Sequence, residues 1–116
     1  MKATLSKEQL LTQFQSVDFV LKTQIQVVKD FNQFSIDFPE TFISTHWVLD
    51  DILLIIEEKL TELITSGEQA LLNYLYQVDI PEQQFTSLLN DKLFLSKLSE
   101  IVLKREAYKV YLRSKY

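Results

Sequence analysis

Apolar residues recur every three or four positions along almost the whole chain, which is the period of a helix face and not of a strand. From about residue 6 to 33 the positions Leu10, Phe14, Val17, Leu21, Ile25, Val28 and Phe31 keep that step unbroken. This predicts one long helix carrying roughly three heptads of seam. Ser6 and Gln9 have the spacing of a capping box at its start, where each side chain bonds a free backbone N–H. The period then changes: Phe34, Ile36 and Phe38 alternate with Ser35 and Asp37 ahead of Pro39. A lone strand would leave its backbone groups unpaired, so 34–44 reads as an ordered extended linker pinned by its aromatics. Pro39 favours extended geometry at Phe38.

Helical spacing resumes over 45–65, with Leu49, Ile52, Leu53, Ile56, Leu60, Leu63 and Ile64 as the buried stripe. Ser44 or Thr45 can cap this helix, Asp50 and Asp51 sit near the positive end of its dipole, and Gly67 suits a left-handed residue just past its end. The next segment, 68–78, is apolar on nearly every side (Ala70, Leu71, Leu72, Tyr74, Leu75, Tyr76, Val78), which predicts a central position. Asp79 and Glu82 have capping-box spacing and Pro81 fits a first turn, opening a short helix over 81–89 with Phe85, Leu88 and Leu89 on one face. Asn90 or Asp91 restarts the chain into a last helix over 92–114, with the stripe Phe94, Leu98, Ile101, Val102, Arg105, Tyr108 and Leu112. The expected fold is all-α: a single domain, residues 1–116, forming a compact bundle of four to five helices with a long first and a long last helix.

Composition narrows the functions such a bundle can carry. The 116 residues are 47% apolar, too many for a disordered chain. The absence of cysteine excludes a disulfide framework, a thiol nucleophile and a thiolate metal site. One histidine excludes any site needing two imidazoles from one chain, and one glycine excludes a phosphate-cradling glycine loop. The longest unbroken apolar run, 52–56, is far short of the ~20 residues that span a bilayer. Near the start, Lys7, Glu8 and Gln9 interrupt the apolar residues, so the sequence reads as cytoplasmic, without a secretion signal or a membrane segment.

Charge is distributed in three zones behind a net value of −4. Residues 1–36 are nearly neutral, 37–91 hold eleven acids against Lys59 alone, and 92–116 hold seven bases against Glu100 and Glu106. Bases near the end of the last helix complement its dipole, and the basic helix can pack beside the acidic second one. Arg105, Lys109 and Arg113 also stand four apart and could bind phosphates. A pI of 4.9 weighs against nucleic acid, whose binding modules are usually basic as whole domains.

Three groups of residues are candidates for chemistry. His46, beside Trp47, could pair with Asp50 four residues on, but no nucleophile or second base accompanies it, and it reads as a capping-region histidine packed by a tryptophan. Of Asp50, Asp51, Glu57, Glu58 and Glu62, the three at 51, 58 and 62 share a helix face. They lack the Glu-x-x-His pairs of a di-metal bundle and the glycine-centred loop of a calcium site, so they read as a solvated face. Tyr108, Tyr111 and Tyr116 interleave with bases near the end of the chain, a mixture enriched at protein interfaces.

The expectation is therefore a non-enzymatic protein–protein interaction or adaptor module. It has no catalytic, cofactor or metal residues, and its interaction surface is formed by Arg105, Tyr108, Lys109, Tyr111, Arg113 and Tyr116. The partner would be another protein or a second copy in a homodimer, through the long first helix or the tyrosine-rich end. The alternative is a nucleic-acid accessory protein using Lys104, Arg105, Lys109, Arg113 and Lys115.

Two stretches, Leu71-Leu72-Asn73-Tyr74-Leu75-Tyr76-Gln77-Val78-Asp79-Ile80-Pro81-Glu82 and Leu98-Ser99-Glu100-Ile101-Val102-Leu103-Lys104-Arg105-Glu106, with Lys29-Asp30-Phe31-Asn32 more faintly, resemble a small uncharacterised bacterial family of all-helical proteins. Its members carry Leu-Tyr-Arg-Ile-Asp-x-x-Glu and then Ile-x-x-Arg-Glu. Gln77 stands where the family has Arg, while Asp79, Glu82, Arg105 and Glu106 match. The resemblance implies the helical fold and no particular activity. Arg105 falls on the apolar stripe and needs a carboxylate partner there, and Asp79 is the one expected.

Overall fold

A computed structural model describes residues 7–115, with the side chains of 7, 10, 11 and 115 excepted. The described residues contain no strand. They form helical segments α1 (Lys7–Gln13), α2 (Val17–Asn32), α3 (Thr41–Ser44), α4 (Leu49–Ser66), α5 (Glu68–Gln77), α6 (Glu82–Thr86) and α7 (Phe94–Lys115). The body measures 34 × 34 × 26 Å. None of these helices is long and apolar enough to cross a membrane.

The first helix is not the single rod over 6–33 that the seam predicts. It breaks at residues 14–16 because Ser16 caps a new helix: its backbone is extended (φ −90°, ψ 117°) and its Oγ accepts the Phe19 N–H at 3.2 Å. Asp18 adds favourable charge to that first turn. The break brings Phe14 edge-on to Phe19, with ring centroids 5.8 Å apart. Ser6 of the expected capping box lies outside the described residues.

The linker aromatics dock as expected, although 41–44 closes into one helical turn, α3. Tyr74 stacks on Phe31 at 4.2 Å; Phe31 then meets Phe38, which stacks on Phe42, and Phe42 meets the edge of Trp47. Gln24, fully buried on α2, ties this segment down. Its Nε2 donates to the carbonyls of Phe42 (2.8 Å) and Thr45 (2.9 Å), and its Oε1 accepts the Trp47 N–H at 2.7 Å. Because all three partners lie in the connection to α4, α4 starts later than predicted, at Leu49, and neither Ser44 nor Thr45 caps it.

α4 and α7 form the central pair, with α2 against α7 and α5 against α4. Ile52, Ile56, Leu60 and Leu63 of α4 face Leu98, Val102 and Leu103 of α7 in one core. Burying each such side chain contributes about 1.5–3 kcal/mol. Contrary to its all-round apolarity, α5 is not central: it buries Leu71, Tyr74 and Leu75 and leaves Tyr76 73% exposed. Nor does Asp79 cap the next helix, since Pro81 occupies the N-cap position of α6.

Asp79 instead takes the left-handed conformation (φ 63°) that ends α5, where Ile80 N–H bonds Leu75 O and Asp79 N–H bonds Tyr76 O. Ser35 (φ 61°) ends α2 in the same way, through Ile36 to Phe31 and Ser35 to Asn32. Both are Schellman closures, and in both a non-glycine residue occupies the position that glycine usually fills.

Candidate functional site

α7 buries Leu98 and Val102 of the stripe read from the sequence, with Phe94 and Ile101 packed against the same core, but the rest of its buried face is turned about a residue further round. Leu98, Ser99, Val102, Leu103, Glu106, Ala107 and Val110 are buried, whereas Arg105 and Tyr108 lie on the flank. The rotation carries a fully enclosed glutamate, Glu106, into the seam with α2, opposite Asp30, which is itself buried. Lys109, one turn on, reaches Asp30 Oδ2 at 2.8 Å and lies 3.5 Å from Glu106 Oε1. Gln26 Nε2 donates to the same Asp30 oxygen at 3.1 Å, and Arg113 Nη2 in turn donates to Gln26 Oε1.

The protonation of this cluster follows from its enclosure. Burial pushes the Glu106 carboxyl well above its usual range, and the neighbouring Asp30 pushes it further, with Lys109 opposing. Burial also pushes Asp30 upward, yet the adjacent Glu106 carboxyl, the hydrogen bonds from Lys109 and Gln26 and the Lys109 charge hold it below its usual value. The two shifts run in opposite directions: enclosure favours the protonated form of Glu106, whose two buried oxygens have no hydrogen-bond partner, while Asp30 favours the carboxylate and pairs with Lys109. One enclosed negative charge then meets one positive charge, the arrangement a low-dielectric interior tolerates. Beneath them, the Tyr74 hydroxyl is buried without a hydrogen-bond partner, and burial followed by the nearby acids pushes its pKa well above the ordinary phenol value.

Gln26 and Arg113 also line a groove of about 440 Å³ between α2 and the end of α7. Phe19, Ile25 and Val110 form its apolar floor; Lys22, Lys29 and Arg113 rim it, with Asp18 the one acid there. Asp18 already pairs with Lys22 at 3.0 Å, one turn apart on α2. The buried cluster thus fixes the two helices whose surfaces make the groove.

The residues singled out from the sequence fall into different settings. Arg105 does pair with Asp79, Nη2 to Oδ2 at 2.8 Å, while its Nε donates to Val78 O at 3.1 Å and its guanidinium lies 5.6 Å from the Tyr108 ring centre. Tyr108 and Tyr111 are half-buried and stack at 6.3 Å. Lys109 and Arg113 belong to the buried cluster and the groove. Lys104 pairs with Glu100 at 3.2 Å. Tyr116 and the Lys115 side chain lie outside the described residues. His46 is exposed three residues before α4, so it caps nothing there. On α4, Lys59 takes Glu62 at 2.9 Å and Glu58 at 3.5 Å and sits over the Phe38 ring at 5.4 Å. Among the described residues, no three His, Cys, Asp or Glu side chains converge to hold a metal ion.

Sequence reasoning missed Asp30, Glu106 and Gln26 as a unit. The usable signal was the run Ser99, Leu103, Ala107 and Val110, small or apolar residues at steps of four and three that trace the buried face and place Glu106 on it.

Compared with protein-family models, with curated proteins and with solved structures, the chain matches none.

Proposed function

We propose that the chain is a non-enzymatic protein–protein interaction module and that the groove between α2 and α7 is where it binds. The observation that carries this reading is the groove's make-up: an apolar floor of Phe19, Ile25 and Val110 with cations around its rim. Ile25 is 45% exposed there, an apolar side chain open to water in a concave place. The acids whose pKa values are displaced in opposite directions, Glu106 and Asp30, would be first choice for acid–base chemistry, yet they sit beneath the surface beside each other. Against the nucleic-acid alternative, Lys104, Arg105 and Lys109 each already face a carboxylate of the same chain, which leaves fewer cations for phosphates.

A pull-down at moderate salt, with the wild-type chain beside Ile25→Glu, tests the reading. A discrete protein retained by the wild type and lost from the variant is the expected result. Equal retention by both overturns it, as does retention of nothing by a wild-type chain that is also monomeric. Salt-sensitive binding to DNA or RNA that Ile25→Glu leaves intact would instead favour the alternative.

A further inference from the structure

The surface chemically complementary to the groove is on the same chain. The outer face of α4 carries Asp50, Asp51, Leu54, Glu57 and Glu58 at positions that helical spacing brings together, and Leu54 is 64% exposed in their midst. Leu54 forms a ridge between two shallow hollows, one bounded by Trp47 and Glu58, the other by Glu57 and Glu100. One surface is an acidic ridge with an apolar crest; the other is a basic trough with an apolar floor.

The two cannot meet within one molecule. The α4 face lies alongside Ser96, Ser99 and Glu100 of α7, and the groove lies at Val110, Arg113 and Ser114. At 1.5 Å rise per residue, those stations are about 15–20 Å apart along α7.

Resting on the groove as a binding surface, we propose that its occupant is a second copy of this chain, inserting the acidic face of α4 with Leu54 as the anchor. The interface is heterologous, head to tail, because two different surfaces meet. Since each copy carries a net charge of −4, copies repel except where the α4 acids face Lys29 and Arg113, so charge sets the orientation while Leu54 supplies apolar burial. Such a contact weakens with salt as the rim charges are screened.

Complementary knockouts test this. Ile25→Glu/Lys29→Glu spoils the groove and Leu54→Lys spoils the α4 face; all three sites are exposed, and far-UV circular dichroism checks that each variant keeps its helices. Mass is followed by light scattering and sedimentation over about 10 µM to 1 mM, the range of a weak interface. The wild type should rise above its 13.7 kDa monomer mass with concentration at low salt and fall back in high salt. Each variant alone should stay monomeric. An equimolar mixture of the two should double in mass and stop there, because only one working groove and one working ridge remain between them. A monomeric wild type, a variant that still associates alone, or a mixture that stays monomeric or grows past the dimer each overturns the proposal. Self-association fails alone if the wild type is monomeric while the pull-down still returns an Ile25-dependent partner; if both come back empty, the groove reading fails with it.

Discussion

Two cations one turn apart on α7 make ion pairs of the same length in different surroundings. Arg105 meets Asp79 and Lys109 meets Asp30, each at 2.8 Å, yet the Asp79 side chain is 52% exposed and that of Asp30 only 4%. Distance therefore says nothing about what either pair is worth. An exposed carboxylate that loses its cation is rehydrated at little cost, whereas an enclosed one keeps a desolvation penalty it can no longer offset. The outer pair decorates the closing turn of α5; the inner pair, with Glu106 and Gln26, sets how α2 lies against α7.

The largest effect should come from breaking the inner pair. Asp30→Ala leaves Lys109 without its main partner and removes the acceptor for Gln26. Loss of one member of an enclosed pair costs about 3–5 kcal/mol; with Lys109 still a quarter exposed, roughly 2–4 kcal/mol is expected here. Urea unfolding at neutral pH measures it, and a loss below about 1 kcal/mol would show that the cluster is not what positions the two helices.

Glu106→Gln distinguishes the two acids. If Glu106 holds its proton in the folded chain, a Gln amide is its neutral stand-in. Below about pH 4.5, where the unfolded chain also holds that proton, the substitution should therefore change stability by no more than about 1 kcal/mol. As pH rises the variant should gain on the wild type. The pH dependence separates them further. Glu106 has a raised folded pKa, so its contribution is full below the ordinary glutamate value of 4.5 and is lost as pH rises through the folded value. Asp30 has a lowered folded pKa, so its contribution is present above the ordinary aspartate value of 3.8 and is lost as pH falls through the folded one. Wild-type stability should therefore decline on both sides, and Glu106→Gln should flatten only the alkaline decline. An unchanged alkaline slope in the variant would assign that proton to another group.

The outer pair was legible in the sequence and the inner one was not, for a physical reason. Arg105 stands out because a cation on an apparent apolar stripe requires an acid, and Asp79 was the available one. Glu106 looks like any surface glutamate next to Arg105; only the one-residue rotation of the stripe, about 100° around the helix, buries it. That rotation is decided by how α4 and α2 pack on α7, because the local spacing admits two stripes, the one through Arg105 and the one through Ser99, Leu103, Ala107 and Val110. The helices α4, α5 and α7 were readable to within a few residues because each buries a broad stripe. The break before α2 was hidden by the same regularity: Phe14 and Val17 continue the three-to-four step straight across Ser16, whose capping of Phe19 overrides it. The linker was readable as aromatic anchors but not as a segment held by Gln24, since nothing local marks a glutamine as buried.

Arg105→Met keeps the packed stem and removes the outer pair together with the bond to Val78 O. A loss of about 0.5–1.5 kcal/mol is expected, well under that of Asp30→Ala, because the orphaned Asp79 can take water and the buried, partnerless Nη1 of Arg105 disappears with the substitution. A loss as large as that of Asp30→Ala would erase the distinction between the two pairs.

The smallest effect reads the outer pair most finely, because two turns of the same geometry differ in having it. Ser35 and Asp79 both hold φ near 60°, where an L residue pays strain that glycine does not. Ser35→Gly should raise stability by about 0.5–1 kcal/mol, the strain relieved less the added freedom of the unfolded chain. Asp79→Gly relieves similar strain but forfeits the contact with Arg105, so its net effect should lie near zero. Asp tolerates this conformation better than Ser, and the comparison therefore needs Asp79→Gly in the Arg105→Met background as well. There the pair is already absent, and the glycine should recover most of the gain seen at Ser35. If Asp79→Gly has the same effect with and without Arg105, the two residues are uncoupled despite their 2.8 Å contact, and the outer pair contributes geometry alone.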